Sequence, residues 1–202
     1  MFGYLFERSG LYDTTHDGRE LVNSKRFAFL LYIGLTIMLF AGLFVGYLVL
    51  RGNTEVWPPL GAPPMTLLNI LPSWVVLVLT MGFMIVARKA LRQNILDRFR
   101  FFTLLGLLSS VLFLLAFGME WWRLMAGGVR LNTVFGGMYY VVTGSFILHF
   151  IGGAYGLSSF LRRAKSVPFS LPLSVGFNNT VSFYYLMMLI WTIIDGLVYF
   201  NS

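Results

Sequence analysis

The apolar positions of this 202-residue chain come in five long blocks, at about residues 27–50, 69–87, 101–119, 135–161 and 180–200, separated by short polar runs. At a rise of about 1.5 Å per residue, the first block is longer than a hydrocarbon core about 30 Å thick and would cross it with some tilt. The pattern predicts an all-α integral membrane protein. A five-transmembrane-helix bundle occupies residues 27–202, behind a polar leader over residues 1–26. The leader mixes Glu7, Asp13, Asp17 and Glu20 with Arg8, Arg19, Lys25 and Arg26. The block that follows is too long for a signal-peptide core, so it reads as a permanent span.

The connectors carry their own signals. Residues 51–68, RGNTEVWPPLGAPPMTLL, hold two Pro-Pro pairs that cannot continue a helix, and Trp57 suits an interfacial aromatic belt. Pro72 falls in the first turn of the second span, where a missing N–H costs least. Residues 88–100 read as a basic connector, and residues 164–179, with Pro168 and Pro172, as another. Gly42 and Gly46 have the GxxxG spacing of a close helix contact.

The fourth block departs from the others. Its stretch over residues 135–150, FGGMYYVVTGSFILHF, carries Tyr139, Tyr140, Thr143, Ser145 and His149 where a lipid-facing helix would carry leucine. Gly136, Gly137, Gly144, Gly152, Gly153 and Gly156 would let a neighbouring backbone approach closely. This reads as a span packed against protein, its polar side chains bonding across helices.

Composition supports a membrane class: 57% of residues are hydrophobic and 11% charged, against about 45–50% and about 25% in soluble proteins. The chain has no cysteine, which excludes disulfides, thiolate zinc sites, iron–sulfur clusters and a cysteine nucleophile. Its two histidines, His16 and His149, lie in different segments, so no metal, haem or copper site is expected from this chain alone.

The net charge of +7 raises the question of nucleic acid, but the basic residues sort by loop. Twelve of the fifteen Lys and Arg lie in the leader, in residues 88–100, or at Arg162, Arg163 and Lys165. Arg51, Arg123 and Arg130 lie in the alternate connectors. Short loops biased in this way place the N-terminus in the cytoplasm and the C-terminus outside. The basic runs are then orientation signals, and no nucleic acid partner is expected.

Candidate chemistry is sparse. No phosphate loop, zinc-helix motif, nucleophile elbow or paired-carboxylate arrangement occurs, and no catalytic residue is assigned. Glu120, beside Trp121 and Trp122 at the end of the third block, reads as an interfacial anchor or helix-end hydrogen bonder, with proton handling as the alternative. His149 reads as an interhelical hydrogen bonder, or as a ligand or proton relay completed by another protein. Trp57, Glu120, Trp121, Tyr139, Tyr140, Thr143 and His149 are therefore candidates for structural, interhelical or lipid contact. Asp195 is the second acid near membrane depth.

Three blocks resemble subunit III of the haem–copper terminal oxidases, the cytochrome c oxidase type. Residues 36–47, TIMLFAGLFVGY, followed by Trp57-Pro58-Pro59 and Asn69, are similar to the family's SExMxFxGLFxxY helix, WPP loop and following asparagine. Glu120-Trp121 resembles the end of its QxxEW. Gly136, Tyr139, Tyr140, Thr143, Gly144 and His149 fall on columns of YGSxFFxLTGFHGLHV. The departures are specific. The family usually has seven helices, and the five here match its last five. Its membrane-embedded glutamate falls on Thr36, the first histidine of HGLH on Phe146, and the glutamine of QxxEW on Phe117. In the fifth block YWHFVDxVW aligns on Trp191, with Tyr185 at the histidine and Met188 at the aspartate.

The resemblance implies a non-catalytic accessory subunit of a respiratory haem–copper oxygen reductase in a bacterial plasma membrane, serving aerobic electron transport. It implies no cofactor in this chain, with haem and copper in the partner subunits I and II. It also implies phospholipid held between helices, and a small subunit carrying the missing first two helices. A quinol oxidase or a nitric-oxide-reductase-associated complex is the alternative assembly. A small membrane transporter is the alternative class, but it predicts an internal repeat and a midplane charge, and neither is visible here.

Overall fold

The computed structural model describes residues 16–59, 62–63, 67–166 and 171–198. These form five helices: α1 His16–Gly52, α2 Leu67–Arg92, α3 Leu96–Ala126, α4 Val134–Ser166 and α5 Leu171–Val198. Each contains a stretch long and apolar enough to cross a membrane. Residues 1–15 of the leader and 199–202 at the C-terminal end lie outside the described residues.

The helices run past the apolar blocks, for local reasons. α2 continues through Arg88, Lys89 and Arg92, because basic residues are good helix formers whose long stems carry the charge outward. The expected connector over residues 88–100 shrinks to a three-residue turn. Asn94 takes φ 57°, Ile95 N–H donates to Ala90 O at 3.0 Å, and Asn94 N–H donates to Leu91 O at 3.2 Å. That is a Schellman stop. Gly128 builds the same stop after α3: at φ 93° it lets Val129 N–H donate to Leu124 O and Gly128 N–H to Met125 O. α2 also starts earlier than the apolar block, at Leu67, so Pro72 lies inside the helix rather than in its first turn. α5 begins at Leu171 with Pro172 in its first turn, within what reads from sequence as a connector.

Helices α2, α3, α4 and α5 close into a four-helix ring, each packing on the next and α5 returning to α2. α1 stands outside the ring and, of the other helices, packs only on α4 and α5 among the described residues. α4 therefore meets three helices, as its polar and small residues suggest, while Val141, Leu148 and Tyr155 form a stripe that remains exposed. Of the GxxxG pair on α1, Gly46 packs against Met138 of α4. A side chain at Gly42 would meet nothing within 4 Å among the described residues.

The ring interior is aromatic. Phe113 lies 4.6 Å from Phe150 and 5.4 Å from Trp191, and Trp191 also meets Phe117 and Phe146 at 5.0 Å, all ring centroid distances. Below this column, hydroxyls join three helices. Ser109 and Ser110 both donate to Gly106 O, at 3.1 and 2.7 Å. Ser110, its proton committed to Gly106 O, accepts from Tyr184 of α5 at 3.0 Å. Ser109 lies within hydrogen-bond distance of Thr80 of α2 at 2.9 Å, the Thr80 hydroxyl also lying 2.8 Å from Val76 O. Each such bond between helices in a membrane contributes about 0.6 kcal/mol on average.

Candidate functional site

The polar residues of α4 meet the outer loops in a continuous aromatic girdle. Trp57, in the loop after α1, donates its indole N–H to the Tyr47 hydroxyl at 2.9 Å and packs edge-on against Tyr47 and Phe135. Its peptide to Pro58 is cis. Phe135 stacks on Tyr139, Tyr139 meets Tyr140, and Tyr140 meets Trp121 of α3 at 5.3 Å. Trp121 donates to Thr143 Oγ1 at 3.2 Å, and Thr143 passes its own proton to Tyr139 O at 2.6 Å. The Tyr140 hydroxyl donates to Val129 O in the α3–α4 turn at 3.0 Å. Pro63 sits over Gly127 in the same turn, where a side chain would overlap it. Five of the seven sequence candidates, Trp57, Trp121, Tyr139, Tyr140 and Thr143, are thus brought together.

Glu120 sits deeper than expected. α3 continues to Ala126, so the residue lies well inside the helix and is only 7% exposed rather than reaching water. It is held by Arg123, whose Nε and Nη2 donate to its two carboxylate oxygens at 2.8 and 2.7 Å. Arg123 carries the charge to the surface, its side chain 34% exposed. The i,i+3 spacing of the two residues is a helix ion-pair signal visible in the sequence.

His149 lies apart from the girdle, half-buried against α1. Its Nδ1 is 2.8 Å from Ser145 O, which can only accept, so Nδ1 carries a proton. The ring packs on Tyr32 and Phe40. Thr36, at the position of the family glutamate, is buried on α1 and donates to Tyr32 O at 2.8 Å. Phe146, at the first HGLH histidine, belongs to the aromatic column. Among the described residues no three His, Asp or Glu side chains lie together as a metal site.

Two features escaped sequence reasoning. Asp195 of α5, 2% exposed, accepts from the Trp74 indole of α2 at 2.6 Å, a pairing across 121 positions with no local signal. Near the inner ends, α1, α4 and α5 leave a groove of about 220 Å³. Phe29, Tyr32 and Phe183 wall it, Gly152, Gly153 and Gly156 floor it, and Asn179 and Thr180 supply its polar edge.

A sequence model of the family described as cytochrome c oxidase subunit III matches residues 7–202. The chain belongs to the cytochrome c oxidase subunit III family. It is similar to the "Probable cytochrome c oxidase subunit 3" of Mycobacterium leprae (strain TN), 26% identical over 177 residues and 84% of each chain. It is also similar to the protein of that name from Nocardia farcinica (strain IFM 10152), 26% identical over 174 residues and 85% of each chain.

In this subunit III chain the polar residues on the motif columns bond within the bundle, some to one another and some to the neighbouring backbone or Arg123. Tyr139, Tyr140 and Thr143 join α4 to α3 and to the turn between them, and Gly144 lies under the Trp121 ring at 3.5 Å from its would-be side chain. The motif columns therefore describe an internal scaffold. What the chain offers outward is apolar helix surface and the two rims.

Proposed function

We propose that this chain is the accessory, non-catalytic subunit of a respiratory haem–copper oxygen reductase of the cytochrome c oxidase type. On this reading it packs beside catalytic subunit I, with subunit II in the same complex, and the partners carry the haem and copper. Its N-terminus faces the cytoplasm of a bacterial plasma membrane, as the basic residues at the inner rim favour. The observation that carries the reading is the family match over residues 7–202, on a bundle whose polar side chains are largely spent on internal bonds.

Such a chain serves by shape. The ring and girdle make a stiff body, and α1, packed on one side only, leaves an apolar face for a small subunit carrying two further helices. The groove between α1, α4 and α5 suits a phospholipid. Asn179 and Thr180 stand at its edge, and Lys25, Arg26 and Arg162 lie near the inner ends of α1 and α4 that border it.

Purification in mild detergent through a tag on this chain tests the reading, with a reduced-minus-oxidised visible spectrum of what accompanies it. Haem bands with oxygen uptake are expected. A colourless preparation of this chain alone, from cells that express the oxidase, would overturn the proposal and favour transport.

A further inference from the structure

Two polar atoms on neighbouring turns of α5 are sealed inside the bundle. One is the indole Nε1 of Trp191, a residue 0% exposed, and the other is Oδ1 of Asp195, a residue 2% exposed. Neither atom has a hydrogen-bond partner among the described residues. A buried donor or acceptor left unmade keeps its full desolvation cost, so two of them one turn apart call for a ligand.

The surroundings show why no side chain serves them. Trp191 is enclosed by Phe113 and Phe117 of α3 and Phe146 of α4. A phenyl face accepts an N–H only weakly. Asp195 spends Oδ2 on the Trp74 indole at 2.6 Å, and its second oxygen has lone pairs to spare.

Spacing and chemistry then narrow the ligand. Four residues apart, Trp191 and Asp195 share one face of α5 and stand about 6 Å apart along its axis. Two hydrogen bonds of about 2.9 Å meeting at one oxygen span up to about 5.8 Å. The ligand must accept from an N–H and donate to a carboxyl oxygen. A bare cation cannot do the first, and a fully deprotonated anion cannot do the second. Anything larger would need an opening, and both residues are closed to the outside. Water meets every condition, and buried water is typically held by about three such bonds.

We infer that Trp191 and Asp195 hold a structural water molecule inside the helix ring, which accepts from the Trp191 indole and donates to Asp195 Oδ1. It extends the Trp74–Asp195 closure of α2 on α5 into the aromatic column, where Trp191 meets α3 and α4. The inference concerns the interior of this chain and does not rest on the oxidase assignment.

The complete complex that copurifies with this chain, imaged by cryo-microscopy at a resolution that shows ordered water, tests the site. One density peak is expected within hydrogen-bond reach of both Trp191 Nε1 and Asp195 Oδ1. Ultraviolet resonance Raman gives a second readout, because the indole N–H band shifts with hydrogen bonding. Subtracting the spectrum of Trp191→Phe from wild type isolates this indole, which should show the hydrogen-bonded band. In an Asp195→Leu background the same subtraction should return the band of a free indole. Asp195→Asn keeps an oxygen for Trp74 and can donate its amide to the water, so the band should stay. A wild-type indole that is free, or aimed at the Phe113 or Phe117 ring, would overturn the inference. So would an indole bonded directly to Asp195 with no density between them. Should Asp195→Leu fail to assemble, the wild-type density and difference band still decide. If the chain purifies without an oxidase, the same measurements are made on the chain alone.

Discussion

Trp74 and Asp195 close the helix ring: the indole of α2 donates to the carboxylate of α5 at 2.6 Å, and the carboxylate is almost fully enclosed. Its other oxygen, Oδ1, is buried with no hydrogen-bond partner among the described residues. The bond therefore joins the ring's last helix to its first through one acceptor atom.

Substitution of Trp74 by Phe should cost more than substitution of Asp195 by Asn. The first strands a buried carboxyl group, at about 1–3 kcal/mol. The second keeps an oxygen for the indole and should stay within about 1 kcal/mol of wild type. Thermal unfolding in detergent, followed by tryptophan fluorescence, compares them. Equal losses would mean the bond does not carry the α2–α5 contact.

The Glu120–Arg123 pair should be asymmetric. Arg123→Gln leaves a buried carboxylate without its bidentate partner, whereas Glu120→Gln leaves a guanidinium that already reaches the surface. The arginine variant should lose about 2 kcal/mol and the glutamate variant about half that, allowing for the partly exposed partner. In the assembled oxidase, Glu120→Gln should lower the yield of complex while the protons pumped per electron stay unchanged. Lost pumping in a normally assembled variant would return Glu120 to a proton-handling role.

His149→Phe should leave the visible haem spectrum of the assembled complex unchanged. The phenyl ring can keep the packing on Tyr32 and Phe40 and forfeits only the bond to Ser145 O. A shifted haem band with normal assembly would show that His149 Nε2 serves a neighbouring cofactor.

Two adjacent glycines of α4 should separate packing from propensity. A side chain at Gly153 would begin 2.8 Å from the Phe183 ring, while one at Gly152 would meet nothing within 4 Å. Gly153→Ala should destabilise by about 1–3 kcal/mol through overpacking. Gly152→Ala should be neutral, or stabilise by up to about 1 kcal/mol through helix propensity. Denaturation midpoints of the two variants measured side by side give the comparison.

How much of this could be read from the chain differs from residue to residue. The five helices were legible because a bilayer demands long apolar runs and tolerates few alternatives to a helix within them. Tyr139, Tyr140 and Thr143 were legible as buried because hydroxyls on a lipid face are costly. Glu120 read instead as an interfacial anchor, and its burial against Arg123 came only with the continuation of the helix to Ala126. The turns were misjudged. A basic run resembles a loop by composition, yet here a three-residue turn with Asn94 at positive φ separates one helix from the next. Ser109 and Ser110 looked unremarkable in the third block, and their value lies in where Thr80 and Tyr184 arrive.

The sequence by itself determined that this is a five-helix membrane protein with a basic rim on one side, and carried the family blocks. Hydropathy and loop charge act locally along the chain, so a linear reading captures them. Only the tertiary structure decided that α2 to α5 form a closed ring with α1 outside it, and that Asp195 answers Trp74. It likewise decided that a groove opens between α1, α4 and α5. Those outcomes depend on which helix faces meet, a choice made by side-chain packing between residues from tens to more than a hundred positions apart.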